Sequence, residues 1–163
     1  MSYAEQFLPE FDQEMIPTRR MLERVPSDKG TWKPHAKSFS LGHLAQLVAR
    51  MPGWNTFTMK ATALDLMKDG QPYTYETTPT LLAEFDRQVK EGREALASST
   101  DAEYQVPWSL KAGERVFFTL PRFVVVRQNI NHLCHHRGQL SVYLRLLDVP
   151  LPSVYGPTAD EQW

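Results

Sequence analysis

The stretch between Pro121 and Asp148 constrains this chain more than any other. Pro121 can open a helix, because its missing N–H falls where no intrahelical partner exists, and Asp148-Val149-Pro150 can close one. No proline interrupts the residues between. At 1.5 Å per residue the helix would be about 40 Å long, the longest element of the domain.

Apolar periodicity marks further helical segments ahead of it. Phe7, Leu8, Phe11, Met15, Leu22 and Val25 mark a first amphipathic helix to about residue 25, with a bend expected at Pro17. Pro26-Ser27-Asp28-Lys29-Gly30 ends it, and residues 32–38 read as an extended connection. Ser40 can cap a second helix with an inner stripe of Leu44, Leu47, Val48 and Met51. Pro52-Gly53 breaks or kinks that helix, after which Trp54, Phe57, Ala61 and Leu64 continue a helical pattern to about residue 68, ahead of a turn at Asp69-Gly70-Gln71-Pro72. Thr78-Pro79 reads as an N-cap followed by proline at the first helical position, and Leu81, Leu82, Phe85, Val89 and Leu96 form the inner face of a third helix. The charges on its outer face, from Glu84 to Glu94, are explained by solvation and ion pairing along the helix.

Between residues 104 and 119 the period changes. Val106, Trp108 and Leu110 alternate with polar or small residues, Lys111-Ala112-Gly113-Glu114 offers a turn, and Val116-Phe117-Phe118 follows, which predicts a short hairpin or extended excursion. The proline-rich tail after Leu151 should lie along the bundle as an extended strap. The predicted fold is therefore one all-α domain over residues 1–163, a four-helix bundle with an excursion before its last helix.

Charge and composition narrow the function. Lysine and arginine number 18 against 19 acidic residues, with no block of like charge, which disfavours nucleic-acid binding. The first residues lack the basic start and apolar run of a signal peptide, no stretch is apolar enough to span a bilayer, and Cys134 has no cysteine partner. A cytoplasmic protein is expected.

The long helix also holds the candidate chemistry. Asn131-His132-Leu133-Cys134-His135-His136-Arg137-Gly138-Gln139 carries three of the five histidines. At about 100° per residue His132 and His136 lie one above the other, with His135 about 60° aside. Imidazoles at i and i+4 can converge on one metal ion and leave room for a third ligand. The same projection places Val125, Gln128, Asn129, Gln139 and Tyr143 on the histidine face, a polar stripe that is costly to bury unless a metal or water satisfies it. Cys134 points away from both histidines and reads as a small buried apolar group, and Arg137 reads as a helix-surface or dimer-surface residue. His43, at the edge of the second helix's apolar stripe, is the candidate third ligand. No Glu-x-x-His occurs, which argues against a ferritin-like di-iron centre and against a His-Glu-x-x-His protease.

Asn131-His132, His136-Arg137-Gly138-Gln139-Leu140, Val142-Tyr143-Leu144-Arg145 and the ending Val149-Pro150-Leu151-Pro152-Ser153-Val154-Tyr155-Gly156-Pro157, together with Trp32-Lys33-Pro34-His35, Ser40-Leu41-Gly42 and Met51-Pro52-Gly53-Trp54, resemble the DinB-like family of small bacterial bundles. The resemblance covers nearly the whole chain. It implies a four-helix bundle, commonly a homodimer, a divalent metal held by three histidines, and, in relatives of known chemistry, transferases or isomerases that use a low-molecular-weight thiol. His132 and His136 match the two family ligands of the last helix. The third family position, seven residues after Ser40, is Leu47, so the resemblance departs there and His43 stands one turn earlier.

The expectation is a metal-dependent transferase or hydrolase with His43, His132 and His136 as ligands, His135 as a catalytic proton-transfer candidate, zinc or nickel as the ion, and a small-molecule substrate with a thiol co-substrate. The alternative is a non-catalytic dimeric bundle, or a metal-binding or small-ligand-binding protein with a degenerate site.

Overall fold

A computed structural model of the protein describes residues 1–162. Helix α1 spans Tyr3–Leu22, α2 Leu41–Arg50, α3 Trp54–Lys60, α4 Thr78–Ala97, α5 Asp101–Gln105 and α6 Arg122–Leu146. Strands β1 Ala63–Asp65, β2 Pro107–Ala112 and β3 Arg115–Pro121 complete the chain. Phe7, Phe11 and Met15 from α1, Leu44 and Val48 from α2, Leu81 and Phe85 from α4, and Leu133, Leu140 and Leu144 from α6 meet in one core. Area removed from water is the main term holding these helices together.

The ends of the helices follow from local chemistry. Ser2 and Glu5 form a capping box on α1, Ser40 Oγ accepts the His43 N–H at the start of α2, and Thr77 and Thr80 box the start of α4. The cap of α4 is thus Thr77, one residue before the predicted Thr78, with Pro79 still in the first turn. Residues 51–53 make a turn of 3-10 helix between α2 and α3, where Pro52 removes an N–H. Gly92 of α4 packs there. A Cβ at Gly92 would lie 2.2 Å from the Pro52 carbonyl oxygen, so the absence of a side chain lets α4 approach this break.

The architecture is mostly helical but not all-α. The three strands form a sheet in the order β1-β2-β3, with β1 parallel to β2 and β2 antiparallel to β3. The hairpin of β2 and β3 fulfils the change of period after residue 104, with Gly113 at positive φ in its turn. Strand β1 replaces the last part of the helix expected to run to residue 68. Its three residues take their ladder from Ser109, Leu110 and Lys111, more than forty positions away, and Asp65 Oδ1 accepts the Gly113 N–H at 3.0 Å. The short α5, opened by a Thr100–Glu103 capping box, was also outside the expectation.

The tail is the predicted strap. Val149, Leu151 and Val154 pack on the core, and Asp160 and Glu161 pair with Arg145 and Arg20. Among the described residues no helix is long and apolar enough to cross a membrane.

Candidate functional site

Helix α6 presents the histidines, and its orientation is fixed from the opposite side. Arg137 is only 2 % exposed and lies 2.7 Å from Glu14 Oε2, while its Nη1 donates to the Glu14 carbonyl at 3.1 Å and to Thr18 Oγ1 at 3.0 Å. The residue expected at a surface is therefore a buried anchor between α1 and α6. Its sequence signal was ambiguous, because a lone arginine on a helix reads as solvated unless its acidic partner, here 123 positions away, is known. Cys134 belongs to the same cluster. Its thiol donates to Glu14 Oε2 at 3.3 Å and accepts from the Tyr155 hydroxyl at 3.3 Å, so Cys134 is half-buried, packed against the core as expected but with polar partners at its sulfur. Burial pushes the Cys134 thiol up, which keeps it protonated and a poor nucleophile.

With Arg137 turned inward, the histidine face turns outward. The Nε2 atoms of His132 and His136 face each other at 2.9 Å, and the rings lie 4.6 Å apart. Gln139, one turn further on, joins both remaining partners. Its Oε1 lies 2.7 Å from His136 Nδ1 and its Nε2 lies 3.0 Å from His135 Nε2. With the Gln139 amide in this orientation its oxygen accepts from His136 Nδ1–H, which leaves the His136 Nε2 lone pair facing His132. An amide nitrogen only donates, so His135 Nε2 is an acceptor. Desolvation, and then the neighbouring histidines, hold His132 below the ordinary imidazole value. Desolvation likewise lowers His136, against the opposing pull of Gln139. Both rings are neutral at pH 7.

Two further members of the polar stripe, Asn129 and Tyr143, find partners within the protein, while Gln128 is exposed. Asn129, one turn before His132, donates to Asn55 Oδ1 at 3.1 Å and to Thr58 Oγ1 at 3.2 Å on α3. Trp54, also on α3, has its ring 5.4 Å from that of His132. At the other end Tyr143 donates to the Phe39 carbonyl and meets the edge of Trp32. Periodicity identified the stripe but not these partners, because they lie on other parts of the chain, Asn55 and Thr58 on α3 and Trp32 and Phe39 ahead of α2.

His43 is not brought to the pair. Its ring is stacked between Phe39 at 4.2 Å and Tyr73 at 4.1 Å, and desolvation, then Lys33, lowers its pKa. Leu47, at the family position of the third ligand, is 7 % exposed and part of the core. Among the described residues no group of three or more His, Cys, Asp or Glu side chains is arranged to hold a metal ion. The residues present do not fit a three-histidine centre; only the two imidazole nitrogens of His132 and His136 face each other.

The fold and site define a class: a small, mostly helical protein with a paired-imidazole site in the middle of its last long helix. The sequence matches the DinB family over residues 1–163, and the chain belongs to that family. It is 25 % identical over 162 residues to YrdA of Bacillus subtilis, an uncharacterized protein, covering 96 % of this chain and 90 % of that one. Among solved structures it is similar to a DinB-like protein, YjoA, of Bacillus subtilis, with a TM-score of 0.72 at 18 % identity over 97 % of this chain and 99 % of that one. A DinB-like protein of Bacillus cereus gives 0.70 at 23 % identity, over 93 % and 97 %.

Proposed function

We propose that this protein binds a divalent cation through His132 Nε2 and His136 Nε2 and acts there as a metal-dependent enzyme of the thiol-transferase or hydrolase kind. The observation that carries the reading is the 2.9 Å approach of two neutral imidazole nitrogens, one of them held in the chelating tautomer by Gln139. When bound, a cation of this kind supplies Lewis acidity that lowers the pKa of a coordinated thiol or water. The chain's own residues do the rest. Gln139 keeps the His136 Nδ1 proton away from the reacting side, Trp54 shields one side of His132, and His135 stands at the outer end of the hydrogen-bonded row as a proton acceptor. Imidazole nitrogen suits zinc and nickel.

A second reading is a non-catalytic bundle, alone or as a dimer, with a degenerate site. The burial of Leu47 and the stacking of His43 favour it, since both leave the pair without a third protein ligand. Metal content measured by mass spectrometry, on protein purified without a histidine tag or chelating resin, separates the readings. Near-stoichiometric metal supports the first, and metal-free protein that takes up neither zinc nor nickel supports the second. Turnover of an electrophile with a low-molecular-weight thiol then tests the reaction.

A further inference from the structure

A cleft of about 640 Å³ opens between α2, α3, α4 and the segment after β1, and none of the histidines lines it. Its volume is within the range of small-molecule sites, roughly 300–1,000 Å³. Trp54, Phe57 and Tyr73 give it aromatic walls, and Leu64 and Leu66 extend them. Thr56 and Gly70 also line it.

The charges around the cleft limit what can enter. Arg50 is paired with Glu84 at 2.6 Å, donates to the carbonyls of Gln71 and Pro72, and lies over the Tyr73 ring. Arg87 is paired with Glu91 at 3.1 Å. Both guanidiniums are thus neutralised, and the remaining charge is that of Asp69 at the rim. Asp69 Oδ2 accepts the Asp65 N–H at 2.9 Å, which leaves the carboxylate's negative charge unmatched by a cation. An anionic ligand would meet this carboxylate and no free arginine, whereas a flat apolar molecule with a basic amine would meet aromatic faces and then an anion.

We propose that this cleft binds an aromatic molecule that is uncharged or carries one amine, an arylalkylamine being the best match. Trp54 is shared between the cleft wall and the His132 ring, so an occupant would lie one side chain from the imidazole pair. Binding in the cleft stands independently of any metal. Its role as a substrate subsite rests on the reading of the pair given above.

The test uses three probes of one shape, tryptamine, indole and indole-3-propionate, titrated into metal-free protein while backbone amide and indole N–H signals are followed by NMR. Tryptamine is expected to bind tightest, with millimolar or better Kd, shifting the amides of Thr56, Leu66 and Gly70 and the Trp54 indole. A rim ion pair contributes about two- to fivefold, so Asp69→Asn should bring tryptamine down to the level of indole. Leu66 is exposed, so Leu66→Trp should fold normally and abolish the shifts by filling the cleft. Failure of all three probes to shift these signals, shifts that survive Leu66→Trp, or a preference for indole-3-propionate would each overturn the proposal. In a His132→Ala, His136→Ala protein the amide shifts and the tryptamine Kd should be retained, the Trp54 indole starting from a different position because it loses the His132 ring. The cleft and the metal reading therefore fail separately.

Discussion

Arg137 and Glu14 meet at 2.7 Å with the arginine 2 % and the glutamate 7 % exposed, one residue along α6 from His136. This pair decides which way the histidines face, because about 100° separates neighbouring side chains on a helix. Breaking a buried pair strands the remaining charge, so Glu14→Leu or Arg137→Leu alone should destabilise the protein by about 3–5 kcal/mol. The double substitution should recover much of that loss. Urea denaturation of the three variants measures both terms, and equal destabilisation by the single and double variants would exclude the pair as the anchor.

Zinc affinity, followed by calorimetric titration, should depend unequally on the candidate ligands. His132→Ala and His136→Ala should each abolish measurable binding, since one imidazole alone makes no chelate. His43→Ala should bind as the wild type does, because His43 is engaged by Phe39 and Tyr73. Loss of zinc in His43→Ala with the fold intact would restore His43 as a ligand.

Gln139 controls the tautomer of His136 through the 2.7 Å contact to Nδ1. Gln139→Leu should release that proton to either nitrogen, visible in imidazole nitrogen chemical shifts of the metal-free protein. Loss of such an outer partner weakens metal binding by roughly ten- to a hundredfold. Gln139→Asn, one methylene shorter, should restore neither. An unchanged tautomer in Gln139→Leu would remove this role.

The pH dependence of stability has a defined sign. His43, His132 and His136 all have folded-state pKa values below the ordinary 6.5. Between the folded and unfolded values the unfolded chain binds more protons, so stability rises with pH through that window and is fully present above it. Acidification from pH 7.5 to 5.5 should lower the urea midpoint, and His43→Phe, which keeps an aromatic ring in the stack, should show a smaller drop. Asp65 and Glu103, lowered by backbone N–H donors, titrate further down and do not obscure this window.

Gly92→Ala should be unusually costly for a helix interior, where alanine normally gains about 1 kcal/mol over glycine. The added methyl would lie 2.2 Å from the Pro52 carbonyl oxygen, a backbone atom that cannot rotate away. A loss of about 1–3 kcal/mol in thermal or urea unfolding is expected, and a gain would mean that the α2–α3 break is free to shift.

The long helix was legible because Pro121 and Asp148-Val149-Pro150 bound it and nothing within breaks it, and α6 runs from Arg122 to Leu146. The hairpin was legible from its alternation. Strand β1 was not, since three residues carry no period and their partners are supplied by β2. The His132–His136 pairing was legible because helix geometry alone sets an i, i+4 contact, and Gln139 lies within reach of the same turn.

What local geometry could not decide was everything that depends on which helices are neighbours. Spacing along one helix put two imidazoles together whatever surrounds them. Packing placed Arg137 against Glu14, gave Asn129 its partners on α3, held His43 between two aromatic rings, and filled the Leu47 position with core. Contacts within about four residues are dictated by the helical repeat, whereas contacts across scores of residues are chosen by how the apolar faces close on one another.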